Sequence, residues 1–254
     1  MIEFTHVKKS FGNKKILDDI SFQVMPGEIL FILGKSGMGK SVTLKHLVGL
    51  LKPDSGQVWV DGKNVPTLSE TELAKTRLEC GMVFQHPALL DSLTIYENIA
   101  FGLRTPHFIR LHGVLKESEI KQTVLKKMDQ VHLPAKLCDC FPPEISYGMQ
   151  KRVSLARTLA PKPKVLLFDE PTTGLDPITT NTINDLIQEL SQELQVTSIV
   201  VSHDMGCALK IADRILVLDQ GKILALDTVD KIKVHPDPLI QDFLSEILEQ
   251  EEFL

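Results

Sequence analysis

The run Glu28-Ile29-Leu30-Phe31-Ile32-Leu33, continued by Gly34-Lys35-Ser36-Gly37-Met38-Gly39-Lys40-Ser41, decides how the rest of the chain is read. Ile29 to Leu33 form an apolar run of buried-strand length. Three glycines, two lysines, two serines and a methionine follow, and Leu44, Leu47, Val48 and Leu51 then fall at helical spacing. A strand, a glycine-rich loop and a helix in that order make a phosphate cradle. Glycines let successive main-chain N–H groups converge on phosphate oxygens, and the helix N-terminus adds positive potential. Lys40 is placed to reach the β- and γ-phosphates of a nucleotide, and the Ser41 hydroxyl is an oxygen ligand suited to Mg²⁺. Together with Val42, residues 34–41 are the segment expected to hold the phosphates of ATP.

Outward from this loop, short β-branched runs alternate with helical patterns, the signature of an α/β protein with a mostly parallel sheet. The patterns predict strands over residues 2–7, 21–24, 28–33, 57–60, 81–84, 165–169, 197–202, 214–219 and 222–225. Asp61-Gly62 and Gln220-Gly221 sit where antiparallel hairpins turn. Between about residues 86 and 163 helical spacing takes over. Val124, Leu125, Met128 and Val131 mark one face, and Met149, Val153, Ala156 and Ala160 another, with Pro142-Pro143 as a stiff approach to the latter. The expected organisation is one nucleotide-binding domain of the P-loop type. Its core spans about residues 1–85 and 164–227, a helical subdomain is inserted over about 86–163, and a helical tail covers about 228–254. In that tail Leu239, Ile240, Phe243, Leu244, Ile247 and Leu248 form an amphipathic stripe before Glu249, Glu251 and Glu252. The stripe packs either on the chain's own core or on another subunit.

Composition excludes several classes. With 254 residues, 43% hydrophobic and 24% charged, the chain has the make-up of a soluble globular protein and is not disordered. No apolar run approaches the roughly 18–20 residues of a membrane span. The N-terminal MIEFTHVKKSFG lacks the pattern of a signal peptide, so a cytoplasmic location is expected. Cys80 and Cys207 stand alone, and Cys138 and Cys140 have no second cluster at zinc spacing, so packing roles are expected for all four. A net charge of -5 argues against a broad nucleic-acid surface.

A second acidic motif completes the chemistry. Val165-Leu166-Leu167-Phe168-Asp169-Glu170 reads as a buried strand ending in two carboxylates, at the edge where a parallel sheet meets its ligand. Asp169 is placed to hold Mg²⁺, and Glu170 to polarise a water for in-line attack on the γ-phosphorus.

With these pieces in order, the sequence resembles the ATP-binding-cassette (ABC) ATPases over nearly its whole length. The resemblance implies that Phe11 stacks on adenine, although a core or hairpin role would also account for it. It implies that Gln85 senses Mg²⁺ and the attacking water, that Gly174-Leu175-Asp176 forms a loop crossing to a partner subunit, and that His203 contacts the γ-phosphate. The family's LSGGQ hallmark corresponds to Ile145-Ser146-Tyr147-Gly148-Met149, with Ser146 an N-cap whose helix dipole points at an anion. In the family that anion is the γ-phosphate held by a second subunit, so Ser146, Gly148 and Asp176 are expected at an ATP bound by another copy of the chain. Tyr147 departs from the family's glycine, and its ring either perturbs that interface or points away.

Within the family, residues 82–104, and Ala88-Leu89-Leu90-Asp91-Ser92-Leu93-Thr94 above all, resemble the ATPases of Mla-type systems. Those move phospholipids or sterols with an MCE-domain protein and a separate integral-membrane permease. The resemblance implies a homodimeric transport ATPase on the cytoplasmic face of the inner membrane, with a permease and an MCE-domain protein as partners and no nucleic acid. The segment between Arg104 and Lys116 is longer than expected, and its Phe108, Ile109 and Leu111 either touch the permease or pack on their own subdomain. An ABC ATPase for another substrate and a soluble non-transport ABC ATPase are the competing readings. A small-molecule P-loop kinase would leave residues 145–152 and His203 unexplained.

Overall fold

The computed structural model describes residues 1–251, with side chains through residue 245. Along the chain the strands and α-helices are β1 (Ile2–Phe11), β2 (Lys14–Val24), β3 (Ile29–Leu33), α1 (Lys40–Leu47), β4 (Ser55–Val60), β5 (Lys63–Asn64), α2 (Glu70–Glu79), β6 (Cys80–Val83), α3 (Ile95–Ala100), α4 (Pro106–His112), α5 (Glu117–Gln130), α6 (Tyr147–Leu159), β7 (Val165–Asp169), α7 (Pro177–Leu194), β8 (Thr197–Ser202), α8 (Met205–Ile211), β9 (Arg214–Asp219), β10 (Lys222–Thr228), α9 (Val229–Lys233) and α10 (Pro238–Glu251). They fall into two compact units, one of residues 1–68 and 197 onward, the other Ser69–Val196. Beyond the helical stretch 86–163, the second unit takes in α2, β6, β7 and α7.

In the first unit β3 runs parallel to both β8 and β9, and β10 closes that side antiparallel to β9. Every residue of β3 and of β8 is buried; β3 reads as an unbroken apolar run, and β8 carries Ile199, Val200 and Val201 between buried Ser198 and Ser202. A separate antiparallel sheet has the order β2-β1-β4-β5. Its inner face is pinned by Phe4 stacked on Phe22, with ring centroids 4.6 Å apart. The expected turns are present: Asp61 and Gly62 have φ of 51° and 77°, and Gln220 and Gly221 have 45° and 77°. Two successive positive φ values give the type I′ twist that suits a two-residue hairpin.

The β1–β2 hairpin is longer than alternation predicts, since β2 begins at Lys14 rather than Ser21. Lys14, Lys15, Asp18 and Asp19 mask the pattern, and register shifts between Phe4 and Ser10 break its period. His6 (φ 49°) and Asp19 (φ 68°) take the irregular positions, with His6 Nδ1 3.0 Å from Asp19 Oδ1. At the other end of the chain α10 packs on α8 and α9, and Ile240 and Phe243 are buried. That is the self-packed alternative for this part of the tail. The side chains of Ile247 and Leu248, with Glu249 and Glu251, and the whole of Glu252 lie outside the described set.

The phosphate loop makes close approaches at Gly34, against the Leu218 carbonyl, and at Gly39. Gly39 has φ 98°, and a Cβ there would stand 2.8 Å from both Ile16 O and Leu17 Cδ2. Only glycine tolerates both the left-handed backbone and the contact.

The second unit pairs β6 with β7 in parallel and is otherwise helical. Periodicity alone misses α2, which its capping box announces: the Ser69 N–H donates to Glu72 Oε2 at 2.9 Å and Ser69 Oγ accepts from the Glu72 N–H at 3.4 Å. Thr94 and Glu97 start α3 in the same way. The long segment after Arg104 becomes α4, begun by Thr105 and Pro106 and ended by Gly113 at φ 82°. Phe108 is buried within this unit and Leu111 is exposed, so only part of the apolar trio is left at the surface. No helix among the described residues is long and apolar enough to cross a membrane.

Asn98 is fully buried, and its side chain organises the loop before α3. Its amide donates to the carbonyls of Leu90, Leu93 and Thr94 at 3.0 Å each, and its oxygen accepts from the Leu90 N–H at 2.9 Å. Asn98→Ala would remove the side-chain donor to the Leu93 carbonyl and the acceptor of the Leu90 N–H, while the Leu90 and Thr94 carbonyls keep main-chain donors, and is expected to lower stability by about 2–3 kcal/mol in urea unfolding. Gly39→Ala is expected to weaken a fluorescent ATP analogue at least about tenfold, because the loop must shift to clear Ile16. Titration of the folded variant checks it.

Candidate functional site

In the first unit the candidate nucleotide residues occupy the loop after β3 and the first turn of α1. Lys35, Ser36 and Gly37 are exposed and Gly34 is buried. The Lys40 side chain is 5% exposed and folds back across the loop, its ammonium donating to Gly34 O at 2.7 Å and to Lys35 O at 3.2 Å. The two carbonyls hold the cation beside the glycine-rich main chain. Thr43 Oγ1 donates to Gly39 O at 3.1 Å and locks loop to helix. Ser41 and Val42 are half-buried and Met38 stands between the exposed and buried ends. One turn further, His46 is buried with Nδ1 2.6 Å from Val42 O, and burial pushes its pKa down. A neutral imidazole therefore sits under the loop near neutral pH.

Phe11 ends β1 with its ring 49% exposed, so it is a hairpin residue and not a core one. The Lys9 ammonium stands 5.5 Å from that ring and is tied to Asp54 at 2.8 Å. His203 follows β8 and is exposed.

In the second unit Asp169 is the last residue of β7, and both Asp169 and Glu170 are half-buried. Glu170 has φ 48°, a costly conformation for a residue with a long side chain, and its carboxylate accepts a hydrogen bond from Thr173 Oγ1 at 2.9 Å. The bend turns the chain out of the strand between the two carboxylates. Gln85 lies two residues beyond β6 and is exposed.

The hallmark segment opens α6. Ser146 is the N-cap, its Oγ accepting from the Met149 N–H at 3.4 Å. A Cβ on Gly148 would come within 2.8 Å of Thr179 Cγ2, so glycine lets the starts of α6 and α7 meet. Asp176 caps α7, accepting from the Thr179 hydroxyl at 2.6 Å and from the Thr179 N–H at 3.0 Å. Those bonds hold its carboxyl below the ordinary range. A cavity of about 340 Å³ lies here, lined in part by Ser146, Tyr147, Gly148, Arg152, Gly174 and Asp176. The opening of a thirteen-residue helix and the Arg152 guanidinium suit it to an anion.

Tyr147 does not point away into solvent: its hydroxyl is 3.3 Å from His86 Nδ1 and 3.5 Å from Gln85 O. Sequence reasoning missed Lys151, which is 3% exposed and donates to the same Gln85 carbonyl, and whose pKa burial lowers to about 8. It also missed Arg157, which donates to Ala88 O at 2.8 Å and Pro87 O at 3.1 Å. On a helix these cations read as surface residues, and nothing local marks the distant carbonyls they meet.

Among known proteins, the family model described as ABC transporter matches residues 17–173. The methionine import ATP-binding protein MetN of Carboxydothermus hydrogenoformans is 38% identical over 243 residues, spanning 94% of this chain and 70% of that protein. The intermembrane phospholipid transport system ATP-binding protein MlaF of Escherichia coli strain K12 is 37% identical over 249 residues, spanning 97% and 89%. The dimeric post-hydrolysis structure of the ATP-binding cassette MJ0796, bound to ADP and Pi, matches with a TM-score of 0.81 at 31% identity, over 90% of this chain and 99% of that one. The structure of cbiO1 from Clostridium perfringens, part of the ABC transporter complex cbiONQ, matches at 0.82 and 29% identity, over 92% and 90%. A glycine-rich loop after β3, paired carboxylates after β7 and these matches lead to one conclusion: the chain belongs to the ABC transporter family, as an ATP-binding subunit that hydrolyses ATP.

Proposed function

We propose that this ATPase drives lipid transport of the Mla type, working as a homodimer on a separate integral-membrane permease at the cytoplasmic face of the inner membrane, with an MCE-domain protein as a further partner. The observation that carries the lipid reading is the segment Ala88–Thr94, which resembles Mla-type ATPases and is held in shape by buried Asn98. The 37% identity to MlaF supports it. The similar identity to MetN favours a second reading, an importer of a small polar solute.

In the proposed catalytic cycle Phe11 stacks on adenine and residues 34–42 wrap the phosphates. Lys40, already poised on the loop carbonyls, exchanges them for β- and γ-phosphate oxygens. The donors assigned to Mg²⁺, namely Ser41, Gln85 and Asp169, are all oxygen ligands, and one carboxylate with a hydroxyl fits a metal that takes its remaining ligands from phosphate and water. When bound, Mg²⁺ would neutralise charge on the β- and γ-phosphates. Glu170 accepts the proton of the attacking water, Gln85 orients that water, and His203 holds the γ-phosphate. Ser146, Gly148 and Asp176 of one copy meet the ATP held by the other. A closed dimer therefore needs two nucleotides, and hydrolysis opens it.

Glu170→Gln keeps the volume and loses the base, so steady-state hydrolysis is expected to fall about 100-fold or more while ATP still binds. Size-exclusion chromatography with ATP should then show an accumulated dimer, and near-normal turnover would remove Glu170 from this role. For the substrate, the tagged Glu170→Gln chain captured from detergent-solubilised membranes is expected to bring down a multi-spanning protein with co-purifying phospholipid. A multi-spanning protein with a methionine-binding component and no lipid would establish the importer reading, and a soluble partner alone would overturn transport.

A further inference from the structure

One face of α6 supplies side-chain donors to the main chain between Met82 and Ala88. Lys151 donates to Gln85 O. Further along, Arg157 takes the carbonyls of Ala88 and Pro87, and Thr158 Oγ1 lies 3.4 Å from Met82 O. At the start of the helix the Tyr147 hydroxyl approaches the Gln85 oxygen that Lys151 already holds. A carbonyl oxygen has two lone pairs and accepts both donors. The hydroxyl oxygen also lies 3.3 Å from His86 Nδ1. The Lys151 ammonium also stands 5.5 Å from the centroid of the Tyr147 ring, one helical turn away on the same face.

Two features argue against packing as the whole role. Burying an ammonium is unfavourable, and a methionine would fill the same space without desolvating a charge. Tyr147 stands where the family pattern has a glycine, which has neither hydroxyl nor ring, so the second donor is an addition to that pattern. Both donors converge on one oxygen, and that oxygen belongs to Gln85.

We propose that Tyr147 and Lys151 are positioning residues that clamp the Gln85 carbonyl to the first turns of α6, so that Gln85 and the phosphate-facing end of the helix move as one piece during hydrolysis. The proposal rests on the nucleotide roles given above to Gln85 and Ser146. The role given to both residues is exerted through the Gln85 main chain. Their effect is to fix where the Gln85 side chain starts, and a displacement of about 1 Å at such a group lowers the rate steeply.

The test uses the full chain with Lys151→Met, Lys151→Arg and Tyr147→Phe. Hydrogen–deuterium exchange in peptides covering residues 82–90 is expected to quicken about fivefold in Lys151→Met and less in Tyr147→Phe. In steady-state assays kcat for ATP should fall about tenfold in Lys151→Met with KM within about twofold, and Lys151→Arg, which keeps a charged donor, should recover most of the loss. Unchanged exchange in both Lys151→Met and Tyr147→Phe, or equal losses in Lys151→Met and Lys151→Arg, would overturn the clamp. Exchange is read without hydrolysis. A failure of the nucleotide reading, seen as normal turnover in Glu170→Gln, is thereby distinguished from a failure of the clamp.

Discussion

The absence of a side chain at Gly39 is the constraint on which the phosphate loop depends. Residue 39 lies against the main chain of Ile16 and the side chain of Leu17 with a left-handed backbone, and α1 begins at the next residue. Because the helix starts there, the Lys40 ammonium folds back over Gly34 and Lys35 and the Thr43 hydroxyl reaches the Gly39 carbonyl. The β1–β2 hairpin thus supports the loop as well as presenting Phe11 at its tip. Its bulges at His6 and Asp19 are tolerated because the buried face of Phe4 and Phe22 continues past them.

The second unit is organised by a different economy. Its strands are short, and its loops are held by side chains that satisfy main-chain groups: Asn98 for residues 90–94, Arg157 for 87 and 88, Lys151 for 85. Asp176 and Ser146 each cap a helix, and Gly148 lets the two capped ends approach. A buried main-chain carbonyl left without a donor is costly, so these bonds set the loop conformation as firmly as apolar packing sets a strand. Residues assigned to nucleotide chemistry in this unit sit at such ends: Gln85 after β6, Asp169 and Glu170 at the end of β7, Ser146 at the start of α6 and Asp176 at the start of α7.

Function follows from where the polar ends of elements are gathered. The positive φ of Glu170 turns the chain sharply between two adjacent carboxylates, and Thr173 holds the second of them. The roles proposed for them, metal ligand and base, require carboxylates that stand side by side yet face different atoms, and a strained bend at the end of a strand can separate them without a long loop.

Much of this was legible in residue order. Apolar runs announced β3 and β7, a β-branched run announced β8, Asp61-Gly62 and Gln220-Gly221 announced hairpins, and the loop of residues 34–41 announced its own chemistry, because each depends on neighbours within a few positions. The full length of β2 was hidden by the charges of Lys14 to Asp19, and α2 by weak periodicity despite its capping box. Whether Phe11 was core or surface, which groups Tyr147 meets within its own chain, and whether Ile240 and Phe243 packed on their own chain were left to the tertiary structure. So were the partners of Asn98, Lys151 and Arg157. Those answers depend on carbonyls and apolar faces that lie as many as 70 residues away in the chain, and only folding brings such groups within the roughly 3 Å at which a hydrogen bond forms.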